Sequence, residues 1–181
     1  GKEKKPVFRM NIQPMTAMDS RQKFTINLAG TTDIKDIKEV KLFYTREKED
    51  FSATNLLAET ADITQKITLS SNQSLKKGDN FFWVTIALKE QVSIDHRIMA
   101  TVSKATINQS AIEVPNPTNS TPKRIGHALR QHQQEGIHTY RIPGLSTTKE
   151  GSLLAVYDVR RESGRDLQGH MDIGLSRSFD G

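Results

Sequence analysis

Apolar and polar residues alternate in several short segments of the first 114 residues, and a period of two is typical of a half-buried β-strand. Turn-forming residues separate these segments, and no helical pattern lies between them. The predicted strands are Lys23–Leu28, Val40–Tyr44, residues 63–69, Phe82–Leu88 and Ile98–Ile107. Short strands at this spacing predict an all-β fold, with an antiparallel β-sandwich over residues 6–114.

Two segments before residue 125 have no strand pattern. Residues 52–62 show no clear period, and we expect a loop or a short helix there. Residues 115–124 contain three prolines among small polar residues. Proline cannot donate a backbone hydrogen bond, so this composition predicts an extended linker that joins a sheet poorly. We therefore expect the domain boundary at residues 115–124.

The remaining part, residues 125–181, contains three further segments of strand length. A turn over residues 147–151 and a polar loop over residues 158–169 separate them. The predicted strands are Ile137–Leu145, Leu153–Tyr157 and Met171–Ser178. Three strands joined in this way predict a small antiparallel sheet.

Composition excludes several classes of function. The chain has 181 residues and no cysteine, which excludes thiolate catalysis and disulfide frameworks. No apolar run reaches the roughly 18 residues of a membrane span, so none is expected. The net charge is +5, but the lysines alternate with acidic residues and no aromatic row accompanies them. We therefore expect no nucleic-acid partner. After the linker most cations are arginines, whose planar fork suits carboxylates.

Histidines are the remaining candidates for metal binding in the second part. They lack the i, i+4 spacing with a carboxylate that a helical metal site needs. They are His127, His132, His138 and His170. The sequence therefore predicts no metal site and no cofactor.

One ordered set of residues carries the candidate chemistry. Tyr140-Arg141-Ile142-Pro143 precedes an apolar strand, Arg160 closes that strand, and Asp166 follows six residues later in a polar loop. Ser178-Phe179-Asp180-Gly181 resembles the opening half of the Asp-box, Ser-x-Asp-x-Gly-x-x-Trp. In order and spacing, residues 127–181 resemble the start of the catalytic domain of bacterial sialidases (neuraminidases). The resemblance implies the truncated start of a six-bladed β-propeller, with residues 125–181 as its first blade.

The same resemblance implies roles for three residues. Arg141 is similar to the first of three arginines that bind the substrate carboxylate, and Arg160 to the arginine that reaches the O4 hydroxyl of the sugar. Asp166 is similar to the loop aspartate that acts as general acid and then base. Asp158 is a rival for that acid, although the spacing favours Asp166. Sialidases use a tyrosine nucleophile, and neither Tyr140 nor Tyr157 is assigned that role.

The first domain is similar in size to the N-terminal β-domain of some bacterial sialidases, which is considered carbohydrate-binding or structural. Sugar binding favours exposed aromatic side chains, and the candidates here are Phe43, Tyr44 and Trp83. The alternative is that these residues belong to the core. A glycan-binding or structural β-sandwich with a non-catalytic propeller segment is therefore a second interpretation of the chain. A third is a propeller protein that uses Asp-boxes only structurally, which the Arg141 and Asp166 pair argues against.

The leading hypothesis is the N-terminal part of an exo-sialidase, a glycoside hydrolase that removes terminal sialic acid from glycoconjugates. Its partners would be sialylated glycans, and its location periplasmic, secreted or on the bacterial cell surface. Because the nucleophile and two clamp arginines are not matched within the 181 residues, we expect this chain alone to be inactive. Linkage preference and oligomeric state stay open.

Overall fold

The computed structural model of the chain describes residues 6–114, 121–166 and 169–179. The chain divides into two compact units, residues 1–126 and 127–181. Residues 115–120 of the expected linker lie outside the described residues, so the linker and the domain bounds stay predictions. Lys123 and Arg124, at its far end, pair with Ile98 and Arg97. These two residues follow the last proline and keep their backbone N–H groups, which explains why they can join a sheet.

The first unit contains two four-stranded sheets in which every strand pair is antiparallel. The strands are β1 Pro6–Asn11, β2 Arg21–Asn27, β3 Ile37–Arg46, β4 Leu56–Thr60, β5 Lys66–Asn72, β6 Phe81–Leu88, β7 Arg97–Ile98, β8 Thr101–Ile107, β9 Ser110–Ile112 and β10 Lys123–Arg124. One sheet has the order β1-β6-β3-β4, the other has β5-β2-β8-β9, and β7 pairs with β10. A 3₁₀ turn, Ile34–Asp36, precedes β3.

One hydrophobic core joins the inner faces of these two sheets. Phe24 of β2 meets Phe82 of β6 with ring centroids 5.3 Å apart, and both side chains are fully buried. Leu42 and Val84 oppose each other in the first sheet, and Ile26 lies in the second, all within the same core. Buried side chains thus recur at alternate positions, as expected for packed sheets. The predicted all-β antiparallel sandwich is confirmed.

The segments 52–62 and 98–107 differ from their sequence expectation. Residues 56–60, expected as loop or short helix, form the edge strand β4, which pairs with β3 through contacts such as Leu42 opposite Ala58. The short strand carries Glu59, whose carboxylate binds Lys41 across the pair, so its polarity hid the strand period. The expected strand 98–107 is divided, because only Thr101–Ile107 pairs with β2.

The three aromatic residues considered as sugar platforms are buried. The fractional exposures of Phe43, Tyr44 and Trp83 are 1%, 2% and 8%. Phe43 and Trp83 lie on the outer face of their sheet, yet the ring of Phe51 covers them at centroid distances of 5.6 and 5.7 Å. Sugar stacking needs an accessible ring face, so these residues are core residues and not a binding platform.

The second unit contains the strands β11 Thr139–Thr147, β12 Leu153–Arg160 and β13 Met171–Ser178, with a 3₁₀ turn at Gln134–Gly136 before them. They form an antiparallel sheet in the order β11-β12-β13. On one face the buried Tyr157 packs edge-on against Tyr140 and accepts a hydrogen bond from Arg130 Nε at 2.9 Å. No helix among the described residues has the length and apolar character needed to cross a bilayer.

Candidate functional site

A bulge in β11 lies at the centre of the candidate site. The regular pairing of β11 with β12 runs to Arg141 opposite Asp158 and resumes at Gly144 opposite Val156, so two residues oppose one. Ile142 in this bulge has a φ of 52°, a left-handed conformation that is rare for β-branched residues. Pro143 is tolerated there because a bulge residue needs no ladder hydrogen bond.

Strand alternation places three charged side chains on one face of the sheet. Arg141 is paired with Asp158, and Arg160 lies two residues after Asp158 on the same strand. Ile173 of β13 is the neighbour of Asp158 on the other side. The site is therefore assembled mainly from β11 and β12, at the end of the sheet where β12 leads into the loop containing Asp166.

Asp166 lies between the two arginines. Its Oδ1 is 2.6 Å from Arg160 Nη1 and 3.2 Å from Arg141 Nη1. Arg160 Nη2 donates to Asp158 Oδ2 at 2.9 Å, so Arg160 binds two carboxylates. The structure thus brings together all three site residues expected from the sequence, together with the rival Asp158. We name Arg141, Asp158, Arg160 and Asp166 the charged cluster.

A backbone carbonyl fixes the loop against the charged cluster. Gly164 O accepts hydrogen bonds from Arg141 Nη1 and Arg160 Nη1, each at 2.9 Å. Two guanidinium groups therefore hold the loop and its aspartate together. Sequence reasoning missed this contact, because a carbonyl acceptor leaves no signal in the residue type.

Exposure differs sharply within the cluster. The Arg160 side chain is only 4% exposed, whereas Asp166 is 65% exposed and Arg141 is 41% exposed. The Nε of Arg160 is buried and donates no hydrogen bond within the described part of the chain. Arg160 is therefore a fixed group at the base, and Arg141 and Asp166 are the groups that a ligand from solvent can reach.

The arginines shift the ionisation of the cluster. The hydrogen bond from Arg160, with the nearby positive charges of Arg141 and Arg160, lowers the pKa of Asp166 below its usual range. Hydrogen bonds to Asp158 and Asp166 raise the pKa of Arg160 further above its ordinary value. In this structure Asp166 is thus a carboxylate at neutral pH and has no proton to give.

A second ion pair closes the base of the same loop. Arg161 binds Asp172 Oδ2 through Nε at 2.9 Å and Nη2 at 2.7 Å, and this lowers the pKa of Asp172. The Arg161 backbone N–H also donates to His170 O at 3.2 Å. From the sequence, Arg161 falls within the expected polar loop of residues 158–169 and has no assigned partner. Its partner lies eleven residues away on β13, a pairing that only the strand register reveals.

Other candidates lie away from the cluster. Tyr140 and Tyr157 point to the opposite face of the sheet, where their hydroxyls contact Gln134 O and Ser176 Oγ. His132 and His138 contact each other edge-on at 4.9 Å. No group of three or more metal-binding side chains occurs among residues 6–114, 121–166 and 169–179. Asp180 and Gly181 of the expected Asp-box lie outside the described residues.

The chain contains a β-sandwich followed by a sheet that bears a carboxylate between two arginines. Known proteins are similar to it in sequence and in structure. The family described as the N-terminal domain of BNR-repeat neuraminidase matches residues 1–111. A sialidase of Bacteroides fragilis (strain YCH46) is 30% identical over 184 residues, which covers 86% of this chain and 34% of that protein. A sialidase of Micromonospora viridifaciens is 39% identical over 82 residues, covering 45% of this chain and 12% of the other.

A solved structure is also similar. The structure of the Hadza microbial sialidase Hz136 matches with a TM-score of 0.53 and 28% identity, over 96% of this chain and 38% of the other. The chain thus spans about a third of the length of the Bacteroides relative and of this solved structure. The chain belongs to the BNR-repeat neuraminidase family, through the N-terminal domain of that family.

Proposed function

We propose that this chain supplies the N-terminal domain and the first part of the catalytic site of an exo-sialidase, which hydrolyses terminal sialic acid from glycoconjugates. The observation that carries the proposal is the charged cluster, in which Asp166 lies within 3.2 Å of both Arg141 and Arg160. Two relatives named sialidase, whose matches cover 86% and 45% of this chain, support it.

The exposures within the cluster suit an anionic sugar. Arg141 is accessible and can bind the sialic acid carboxylate through its planar fork. Arg160 is buried and fixed, which suits a group that positions a hydroxyl of the ring. Asp166 is the general acid that protonates the leaving oxygen and the base that later activates water. Asp158 is a poorer candidate for that acid, because it lies within the sheet and is only 31% exposed, against 65% for Asp166.

The remaining assignments follow from the same proposal. Residues 125–181 form the first blade of a six-bladed propeller, preceded by a linker at residues 115–124, and Ser178 begins its Asp-box. The substrates are sialylated glycans, which are carried outside cells, and so the protein acts in the periplasm, at the cell surface or after secretion. Since the chain spans about a third of the Bacteroides sialidase, activity requires sequence beyond these 181 residues.

The test is hydrolysis of a fluorogenic sialoside by the complete gene product. We expect turnover from the complete protein and none from the 181-residue chain. Asp166→Ala should lower kcat by about 10²- to 10⁴-fold, the usual contribution of a general acid. Arg141→Ala should mainly raise KM. Arg165→Ala, which changes an exposed arginine of the same loop, is the matched control and should keep normal rates. Normal rates in both site variants would refute the assignment.

A further inference from the structure

The charged cluster contains equal numbers of positive and negative groups. Arg141 and Arg160 are cations, and Asp158 and Asp166 are anions at neutral pH. Every contact within the cluster pairs opposite charges at 2.6 to 3.2 Å. The groups that face Asp158 are Arg141 on β11, Arg160 on its own strand and the apolar Ile173 on β13. The site is therefore electrically balanced before any ligand enters.

A sialoside adds one negative charge to this balance. Its carboxylate would compete with Asp166 for Arg141, the only arginine of the cluster that is well exposed. Asp166 would then keep only Arg160, whose charge is already shared with Asp158 at 2.9 Å. A carboxylate that loses one cation and gains an anionic neighbour binds a proton more readily.

We propose that Asp158 is a positioning residue that couples binding of the substrate carboxylate to uptake of one proton by Asp166. This inference rests on the proposed sialidase function. Asp158 holds Arg160 by Nη2 and offsets its charge, so that Arg160 can orient Asp166 through Nη1 without keeping it ionised. The substrate thereby turns Asp166 from a carboxylate into the acid that the reaction needs.

The proton can be followed through the step. It comes from solvent and binds the Asp166 carboxylate when the substrate carboxylate engages Arg141. As the bond between the anomeric carbon and the leaving oxygen breaks, its electron pair passes to that oxygen, which takes the proton from Asp166. The anomeric carbon gains a bond from the nucleophile in place of the broken one. Asp166, again an anion, then accepts a proton from the water that attacks this carbon and displaces the nucleophile. Asp166 takes the proton rather than Asp158 because the ligand removes its contact with Arg141, whereas Asp158 keeps its 2.9 Å contact with Arg160 Nη2.

Asp158→Asn in the complete enzyme tests the coupling. It keeps an acceptor for Arg160 Nη2 and removes only the charge. With one more net positive charge, the site should bind the substrate carboxylate more tightly but protonate Asp166 less readily. We expect KM to fall, kcat to fall about tenfold, and the alkaline limb of the kcat profile to move about one pH unit lower. Asp158→Glu should restore part of kcat, and Glu162→Gln, a change of charge in the same loop, should alter neither parameter.

A purely structural role would give a different pattern. If Asp158 only supported the fold, Asp158→Asn would raise KM or lower both parameters without moving the pH profile, and the proposal would be overturned. Unchanged kinetics would overturn it too. Carbon-detected NMR titration of Asp166 in the 181-residue chain checks the charge effect without any substrate: its midpoint should fall in Asp158→Asn, and an unmoved midpoint refutes the coupling. If the wild-type complete enzyme does not hydrolyse sialosides, the proposed function is refuted. This inference then fails with it, even if the NMR midpoint of Asp166 moves.

Discussion

Ile142 should reverse the usual preference for alanine over glycine in a strand. The residue occupies the bulge next to Arg141 with a φ of 52°, and its side chain is 60% exposed. Bulges of this kind usually place glycine in the left-handed position, because glycine has no Cβ to clash there. The perturbation is therefore a pair of variants, Ile142→Gly and Ile142→Ala, which remove the same side-chain contacts and differ mainly in backbone freedom.

The size of the reversal follows from two opposing terms. The left-handed conformation costs an L-residue such as alanine about 1–2 kcal/mol, and glycine avoids this cost. Glycine loses about 0.5–1 kcal/mol through the greater freedom of its unfolded chain. Ile142→Gly should therefore be more stable than Ile142→Ala by about 0.5–1 kcal/mol. At Leu145, on the same strand, 74% exposed and without a positive φ, alanine should be the more stable by a similar amount.

Native-state hydrogen exchange of β11 and β12 measures these differences locally, without interference from the first unit. The quantity to compare is the free energy of opening of the paired amides in the four variants. If alanine is favoured over glycine at Ile142 as it is at Leu145, the bulge is not strained in the way described. The position of Arg141 would then need another explanation. A substitution of Ile142 that relaxes the bulge should also hold Arg141 less firmly, and this would affect the function of Arg141.

Two further predictions concern the same unit. Gly174→Ala should destabilise the sheet by about 1–3 kcal/mol, the usual cost of overpacking, because an added Cβ would lie 2.2 Å from Cε2 of the buried Tyr157. Hydrogen exchange of the β12 and β13 amides measures this destabilisation, and protection equal to that of the wild type would contradict the prediction. Asp166 should titrate below the usual aspartate range, since Arg160 and Arg141 lower its pKa. Its folded pKa is thus below the unfolded one, so the stabilisation is complete above about pH 4 and is lost as the pH falls through the lowered pKa. An NMR midpoint at or above about 4 would be inconsistent with the described pairing.

The strands that bury one face could be predicted from the sequence. Met171–Ser178 was predicted with its observed bounds, Phe82–Leu88 to within one residue and Lys23–Leu28 to within two. The edge strand β4 was not predicted, because it lacks the alternation of apolar and polar residues. One of its sides faces solvent, and its Glu59 forms an ion pair with Lys41. Burial of Trp83 on an outer sheet face was also hidden, since Phe51, which covers it, lies in a loop.

The candidate site shows why order and spacing were informative while charge alone was not. Arg141 and Asp166 are 25 residues apart, and nothing in their local sequence requires contact. They meet because β11 and β12 are antiparallel neighbours, so that a residue before the bulge faces the end of the strand from which the loop departs. Spacing along two adjacent strands therefore encodes proximity.

Asp158 was harder to interpret for the same reason. From sequence it competes with Asp166 as the acid, since both are aspartates near the end of one strand. The register separates them: Asp158 lies within the sheet, binds the buried Arg160 and is shielded by its neighbours, whereas Asp166 reaches the same arginine from an exposed loop. One guanidinium thus contacts two similar carboxylates in different surroundings, one within the sheet and one in an exposed loop. The difference between the two carboxylates depends on their exposure and on which Nη atom of Arg160 each one contacts. Neither property can be read from the sequence.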